Sequence, residues 1–215
     1  MTMSAAVPRD GGFFLCYIYC MPYKKVHFIG IGGVGMSATA KLLRDTGVII
    51  TGSDEEVYPP ISTLLDAEAI SYNTPYRAAN IPADADLIVI GKNAKLVPES
   101  NEEVAAALVS GKKVVSFPEV LAELSNDTQT VVVAGSYGKS TMTALLAHCL
   151  EDAKLEPSYF IGAVPISPNV NAKKGVGNIF IIEGDEYPSS NTDPRSKFLH
   201  YHPCMYCLRR LHTTI

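Results

Sequence analysis

The sequence lacks long apolar runs, blocks of basic residues and a cysteine framework. No run approaches the roughly 18 apolar residues that a membrane-spanning helix needs. At most two lysines or arginines are adjacent and the formal net charge is −4, which argues against a nucleic-acid-binding surface. The 5 cysteines form an odd, scattered set, which argues against disulfides and fits a reducing cytoplasm. We therefore expect a cytoplasmic protein that binds neither nucleic acid nor membrane; the sequence leaves its oligomeric state unknown.

What the chain does contain is typical of a packed α/β protein. It has 215 residues, of which 47% are hydrophobic and 19% charged, with 16 glycines. This length allows one large domain or two small ones. Residues 1–23 include the apolar stretch FFLCYIYCM but have neither the charge pattern nor the cleavage site of a signal peptide. We predict that they form a poorly ordered leader.

A first glycine loop follows the leader. The stretch KKVHFIGIGGVGMSATAKLLRDTG has the pattern of a strand, a tight turn and a helix, and Gly30, Gly32 and Gly35 match the spacing G-x-G-x-x-G. Such a loop binds a diphosphate through backbone N–H groups and the helix N-terminus, and its third glycine lets helix and strand pack closely. The next strand, VIITGSD, ends at Asp54, which is placed to contact a ribose or base. The motif is compatible with NAD(H) and with a UDP-sugar.

The alternation of strands and helices continues to about residue 125. Apolar stretches such as ADLIVIG are typical of buried parallel strands, and PEVLAELSN is typical of a helix opened by Pro118. We predict a Rossmann-like, doubly wound domain over residues 24–125. The polar stretch SNDTQT then serves as a linker.

A second glycine loop, VVVAGSYGKST, begins at Val131. The full Walker pattern needs a glycine at Val133, and the chain has the shorter G-x-x-G-K-S from Gly135 to Ser140. Loop N–H groups can bind phosphate oxygens, Lys139 can contact the outer phosphates of ATP, and the Ser140 hydroxyl can bind Mg²⁺. The predicted ATP-binding residues are Gly135, Ser136, Tyr137, Gly138, Lys139, Ser140 and Thr141.

Acidic residues end the next apolar strand, GNIFIIEGDEY. Glu183 lies at the end of this strand, where a carboxylate beside a phosphate-binding loop can bind Mg²⁺ directly or through water. Residues 130–203 are therefore predicted to form a partial P-loop ATP-binding domain. Two phosphate-binding loops in succession indicate an ATP-dependent enzyme with a second, nucleotide-linked substrate.

The combination of HFIGIGGVGMS, GSYGKST and EGDE resembles the Mur ligase family, which joins amino acids or peptides to UDP-N-acetylmuramate in bacterial wall synthesis. The stretches GSDEEVYPPISTLL, FIGAVP, EGDEY and RSKFLHYHP resemble the branch that attaches the whole tripeptide L-Ala-γ-D-Glu-meso-diaminopimelate in peptidoglycan recycling. The alternatives are the L-alanine-adding branch and a non-catalytic UDP-sugar-binding protein.

The resemblance implies a role for each matching residue. The residues expected to hold the UDP diphosphate are Gly30, Ile31, Gly32, Gly33, Val34 and Gly35, with Asp54 near the uridine. Lys139 is expected to act as the catalytic lysine on the outer phosphates, with Ser140 and Glu183 holding Mg²⁺. By resemblance, ATP phosphorylates the muramyl carboxylate, and the amine of the donor then attacks the acyl phosphate.

The chain also departs from the family pattern. Ser136 and Tyr137 stand where the family usually has threonine and histidine, Gly184 replaces an alanine, and Pro188 replaces an aspartate. After Pro203 the sequence CMYCLRRLHTTI no longer resembles the family. We therefore expect an atypical tail over residues 204–215 and a C-terminally truncated fragment with weak or no turnover.

Overall fold

A computed structural model describes residues 4–9, 12–17, 21–166 and 170–209 of the chain. These residues form two five-stranded sheets and one two-stranded ladder. The strands are β1 (Ser4–Arg9), β2 (Gly12–Tyr17), β3 (Lys25–Ile29), β4 (Ile49–Ser53), β5 (Ser71–Asn73), β6 (Leu87–Ile90), β7 (Lys113–Val115), β8 (Gln129–Gly135), β9 (Ser158–Phe160), β10 (Ala172–Lys173), β11 (Ile179–Gly184) and β12 (Met205–Arg209). The helices are α1 (Val34–Asp45), α2 (Ile61–Ala67), α3 (Glu102–Val109), α4 (Phe117–Ser125) and α5 (Lys139–Asp152), with short 3-10 helices at Ala78–Asn80 and Lys197–His200.

The first sheet is parallel and has the strand order β5-β4-β3-β6-β7. Side chains alternate between its two faces, so that Phe28 packs with α1, α2 and α4 while Ile29 packs with α3. Both faces are covered, which is why the strands consist of apolar runs. This order, with β3 in the centre, is that of a doubly wound Rossmann-like sheet, and the predicted α/β class is confirmed.

The second sheet has the order β10-β9-β11-β8-β12, and β10 is its antiparallel strand. On one face, Val133 and Ile181 pack with Ala147 of α5. On the other face, Val132 and Phe180 join the apolar core that contains α1 and α4 of the first sheet. The two sheets therefore share a core, and Phe117 stacks on Phe160 across it with ring centroids 6.1 Å apart.

Two segments contain strands that the sequence patterns do not predict. Within the leader predicted to be poorly ordered, β1 and β2 pair in antiparallel register, from Ser4 opposite Tyr17 to Arg9 opposite Gly12. The aromatic and apolar residues of β2 suit a strand. In the tail predicted to be atypical, β12 pairs in parallel with β8, from Met205 opposite Val131 to Arg209 opposite Gly135. β12 is an edge strand with Met205 60% exposed, so it lacks the apolar alternation by which strands are recognised.

The rest of the predicted tail, residues 210–215, lies outside the described residues, as do residues 1–3, 10–11 and 18–20 of the predicted leader. Among the described helices, none is long and apolar enough to cross a membrane.

Candidate functional site

A cleft of about 660 Å³ lies where the carboxyl ends of strands from both sheets meet. Its walls include the four glycines of the first loop after β3 (Gly30, Gly32, Gly33 and Gly35), Gly91–Asn93 after β6 and Glu183 at the end of β11. Ligands of α/β proteins bind at this edge of a parallel sheet, because the loops there end in helix N-termini. The cleft thus brings the first glycine loop and the predicted metal ligand Glu183 to one site.

The first glycine loop is held by the neighbouring strand β4. The N–H groups of Gly30 and Ile31 donate to the Ser53 carbonyl, at 2.8 and 3.1 Å. The Ile31 side chain is fully buried and packs in the core with α1, which anchors the loop from below. Helix α1 then begins at Val34, and no side chain caps its N-terminus at Gly33. Because the Gly33 N–H also donates within the loop, to the Gly30 carbonyl at 3.3 Å, the donors that an anion could reach lie at the N-terminus of α1.

Asp54 lies in the cleft wall, as the sequence predicts, but its carboxylate contacts the glycine loop. Oδ2 accepts from the Gly32 N–H at 2.8 Å and Oδ1 accepts from the Tyr76 hydroxyl at 2.9 Å. Burial, together with the Asp54 charge, raises the pKa of Tyr76, so that this phenol stays protonated and remains a donor. The chain therefore places a carboxylate of its own at the Gly32 N–H, which marks this amide as an anion-binding group.

Gly35 meets an aromatic ring rather than a strand. A Cβ atom at this position would lie 3.0 Å from Cζ of Phe117, at the start of α4. The close approach predicted for the third glycine is therefore made to helix α4, because the ring of Phe117 fills the space between the two sheets.

A buried network lies behind the glycine loop. Glu103 and His27 are both fully buried, and His27 Nε2 lies 2.8 Å from Glu103 Oε1. The same oxygen accepts from the Ser53 hydroxyl at 2.6 Å, while Oε2 accepts from the Arg77 N–H at 2.9 Å and from Asn80 Nδ2 at 3.0 Å. Burial alone would raise the pKa of Glu103, but the hydrogen bonds outweigh it and lower the pKa below its ordinary value. Since the Ser53 carbonyl holds the glycine loop, this carboxylate supports the loop from behind.

The second glycine loop leads directly into α5. Gly138 precedes the helix with φ of 74°, a left-handed conformation that favours glycine. The Lys139 ammonium donates to the Gly135 carbonyl at 2.7 Å and to Glu186 Oε2 at 3.0 Å. Lys139 thus folds back over its own loop, as a lysine that contacts a phosphate held by the loop must do. Tyr137 and Thr141, also in the predicted set, are exposed.

Ser140 and Glu183, the two predicted metal ligands, are in contact. The Ser140 hydroxyl donates to Glu183 Oε1 at 2.9 Å, and the Gly162 N–H donates to Oε2 at 2.7 Å. A hydroxyl and a carboxylate side by side are hard oxygen ligands of the kind that Mg²⁺ takes. The described residues contain no group of three or more His, Cys, Asp or Glu that could hold a metal ion. The pair therefore fits a Mg²⁺ ion that takes its remaining ligands from phosphates and water.

Asp185 and Lys197 are two cleft residues to which the sequence patterns assign no role. The structure joins them in an ion pair, with Lys197 Nζ 2.6 Å from Asp185 Oδ2. The same ammonium lies 5.2 Å from the centre of the Phe117 ring, and both charged residues line the cleft. The stretch RSKFLHYHP, which carries part of the family resemblance, was the available signal, but it does not reveal the partner of the lysine.

Comparison with known proteins identifies the family. Residues 25–129 match the family described as Mur ligase family, catalytic domain. The chain is 37% identical over 188 residues to the UDP-N-acetylmuramate--L-alanyl-γ-D-glutamyl-meso-2,6-diaminoheptandioate ligase of Escherichia coli, covering 87% of this chain and 40% of that protein. The chain contains a Mur ligase family domain. The predicted resemblance is thereby confirmed, and the matching relatives are named as ligases.

Other relatives represent both branches of the family. A UDP-N-acetylmuramate--L-alanine ligase of Arthrobacter is 40% identical over 179 residues, which are 83% of this chain and 36% of that protein. The crystal structure of the tripeptide ligase from Neisseria meningitides has a TM-score of 0.78 at 35% identity, covering 89% of this chain and 63% of that chain. The murein peptide ligase of Psychrobacter arcticus has the same TM-score of 0.78 at 30% identity, covering 88% of this chain and 43% of that chain. The chain thus spans 36–40% of the length of these two curated relatives.

Proposed function

We propose that this chain binds UDP-N-acetylmuramate and ATP in one cleft, as part of an ATP-dependent ligase that joins the muramyl carboxylate to a peptide amine. The observation that carries the proposal is that a single cleft contains the first glycine loop and Glu183, which contacts Ser140 of the second loop. Two phosphate-bearing ligands can therefore meet there with their reactive groups adjacent. Such positioning is the main requirement of phosphoryl and acyl transfer.

The first loop supplies the binding site for the UDP-sugar in this proposal. The uncapped N-terminus of α1 and the N–H of Gly32 are donors suited to a diphosphate. Asp54 remains the proposed contact of the nucleoside, and a diphosphate on the loop would displace or share the Gly32 contact that its carboxylate now makes.

The second loop supplies the ATP site. The Lys139 ammonium, which now contacts the Glu186 carboxylate, would bind the outer phosphates of ATP in its place, because the phosphates are also anions. Ser140 and Glu183 would hold Mg²⁺, which neutralises negative charge on the phosphates when bound. The predicted domain of residues 24–125 contains the first loop and the first sheet, and residues 130–203 contain the second loop and the second sheet apart from β12 and the first residue of β8.

The proposed amine donor is L-Ala-γ-D-Glu-meso-diaminopimelate, in peptidoglycan recycling. The names of the Escherichia coli and Neisseria relatives state this specificity, and the RSKFLHYHP stretch favours it. L-Alanine stays the alternative donor, because UDP-N-acetylmuramate--L-alanine ligases are also among the relatives. The cytoplasmic location indicated by the scattered cysteines stays a prediction.

Calorimetric titration of the whole chain with UDP-N-acetylmuramate and, separately, with ATP and Mg²⁺ tests the proposal. Lys139→Ala should weaken ATP binding by about 10- to 100-fold, the equivalent of one charged hydrogen bond, and leave the UDP-sugar affinity unchanged. Lys24→Ala is the matched control, since Lys24 is exposed next to the amino end of β3, away from the cleft. Preference for NADH over UDP-N-acetylmuramate, or unchanged ATP binding in Lys139→Ala, would refute the proposal.

A further inference from the structure

The cleft holds more negative than positive charge. Asp54, Glu56, Glu183 and Asp185 line it, whereas its positively charged lining residues, among those that the structure describes, are Lys92 and Lys197. Lys92 is exposed, with its ammonium 3.5 Å from the Pro188 carbonyl. Lys197 is only 16% exposed. Of the two lysines, Lys197 is therefore the one that is largely shielded from solvent, where its charge acts most strongly on an anionic ligand.

Contacts on two sides fix the position of the Lys197 ammonium. Asp185 accepts from it with Oδ2, while Oδ1 of the same carboxylate accepts from the Tyr187 N–H at 2.9 Å and so cannot rotate freely. The face of Phe117 attracts the ammonium from a second side. An ammonium has three N–H donors, so these two contacts leave donor capacity for a ligand. Holding a lysine in place beforehand removes much of the entropy cost of using it for binding.

Lys197 stands between the two loops. Its aromatic neighbour Phe117 packs against Gly35 of the first loop. Its ionic partner Asp185 is separated by one residue from Glu183, which contacts Ser140 of the second loop. The ammonium is therefore linked through one neighbour to each of the two loops.

We propose that Lys197 binds the carboxylate of the UDP-sugar substrate and positions it toward the Ser140–Glu183 end of the cleft. This inference rests on the proposed function, in which that carboxylate must approach the outermost phosphate of ATP. In the proposed function the diphosphate binds at the N-terminus of α1 and the Gly32 N–H, so the lysine is left for the second anion of the same ligand. Asp185 then acts as the residue that positions Lys197.

Two ligands that differ in the carboxylate test the assignment. UDP-N-acetylmuramate carries a lactyl carboxylate that UDP-N-acetylglucosamine lacks, and the nucleotide and sugar are otherwise shared. Calorimetry on the whole chain should show that Lys197→Met weakens UDP-N-acetylmuramate binding about tenfold or more and leaves UDP-N-acetylglucosamine binding unchanged. Lys197→Arg should recover most of the loss, because the guanidinium also donates to a carboxylate. Lys24→Met, with the same loss of charge outside the cleft, should change neither affinity.

The possible outcomes separate the two proposals. Equal weakening of both ligands would place Lys197 at the diphosphate or in a structural role, and would overturn the carboxylate assignment alone. No effect on either ligand would overturn it as well. Failure of the unaltered chain to bind UDP-N-acetylmuramate would instead refute the proposed function and this inference with it. The unchanged UDP-N-acetylglucosamine affinity also reports that Lys197→Met is folded.

Discussion

Replacing Glu103 with glutamine removes one charge from the buried network and keeps the shape of the side chain. The glutamine NH₂ group must take the place of one carboxylate oxygen. At the Oε2 position it would face the Arg77 N–H and the Asn80 amide, and the backbone N–H cannot become an acceptor. At the Oε1 position it would face His27 Nε2 and the Ser53 hydroxyl. Both of these groups can accept, because the imidazole can change tautomer and the hydroxyl can rotate.

The expected cost follows from this arrangement. The two bonds from Arg77 and Asn80 remain but lose their charge assistance, at about 1 kcal/mol each. Glu103→Gln should therefore lower the free energy of unfolding by about 2 kcal/mol at neutral pH. Glu103→Leu, which leaves both donors unsatisfied and the His27–Ser53 side unpaired, should cost about 4 kcal/mol or more.

The pH dependence gives a second test. Because the folded pKa of Glu103 lies below its unfolded value, its stabilisation is complete above the unfolded pKa and is lost as pH falls through the folded pKa. Urea unfolding followed by circular dichroism should thus give a larger difference between the wild type and Glu103→Gln at about pH 7 than at about pH 3.5. A difference that is constant across this range, or a glutamine variant as unstable as the leucine variant, would refute the reasoning.

Two further predictions concern the glycine loops. Gly35→Ala should destabilise the fold by about 1–2 kcal/mol in thermal unfolding, because its Cβ atom would lie 3.0 Å from the Phe117 ring. Gly33→Ala is the control and should cost less, because the nearest atom to its Cβ would lie at 3.6 Å; equal costs would contradict the prediction. Ser140→Ala should weaken Mg²⁺-dependent ATP binding about tenfold in calorimetry and spare UDP-N-acetylmuramate, and Ser140→Thr should restore it; ATP binding that is insensitive to Ser140 would remove it from the metal site.

The elements that the sequence predicts well are those encoded locally. The strand, turn and helix of each glycine loop lie within about 25 consecutive residues, so apolar spacing and glycine position suffice. The sequence also predicts that Ser140 and Glu183 share a site, because a strand beside a phosphate-binding loop ends at the same edge of the sheet as the loop.

The contacts that the sequence does not reveal join residues distant along the chain. His27 and Glu103 are 76 positions apart, and nothing in either local pattern indicates that the buried carboxylate sits behind the first loop. Lys197 and Asp185 are 12 positions apart, in a segment without strong periodicity. Strand β12 was missed for a related reason, since an exposed edge strand is defined by its hydrogen-bonding partner β8 rather than by its own pattern.

Phe117 shows how a local motif acquires a long-range role. The sequence explains Gly35 by the close packing of its own strand and helix. In the structure, the group that leaves no room for a side chain at this position is the Phe117 ring of α4. That ring also stacks on Phe160 of the second sheet and lies beside the Lys197 ammonium. A larger residue at position 35 would therefore disturb the contact between the sheets and the cation in the cleft together. The glycine spacing of the first loop thus serves the junction of the two sheets as well as the ligand, and only the folded chain reveals the second requirement.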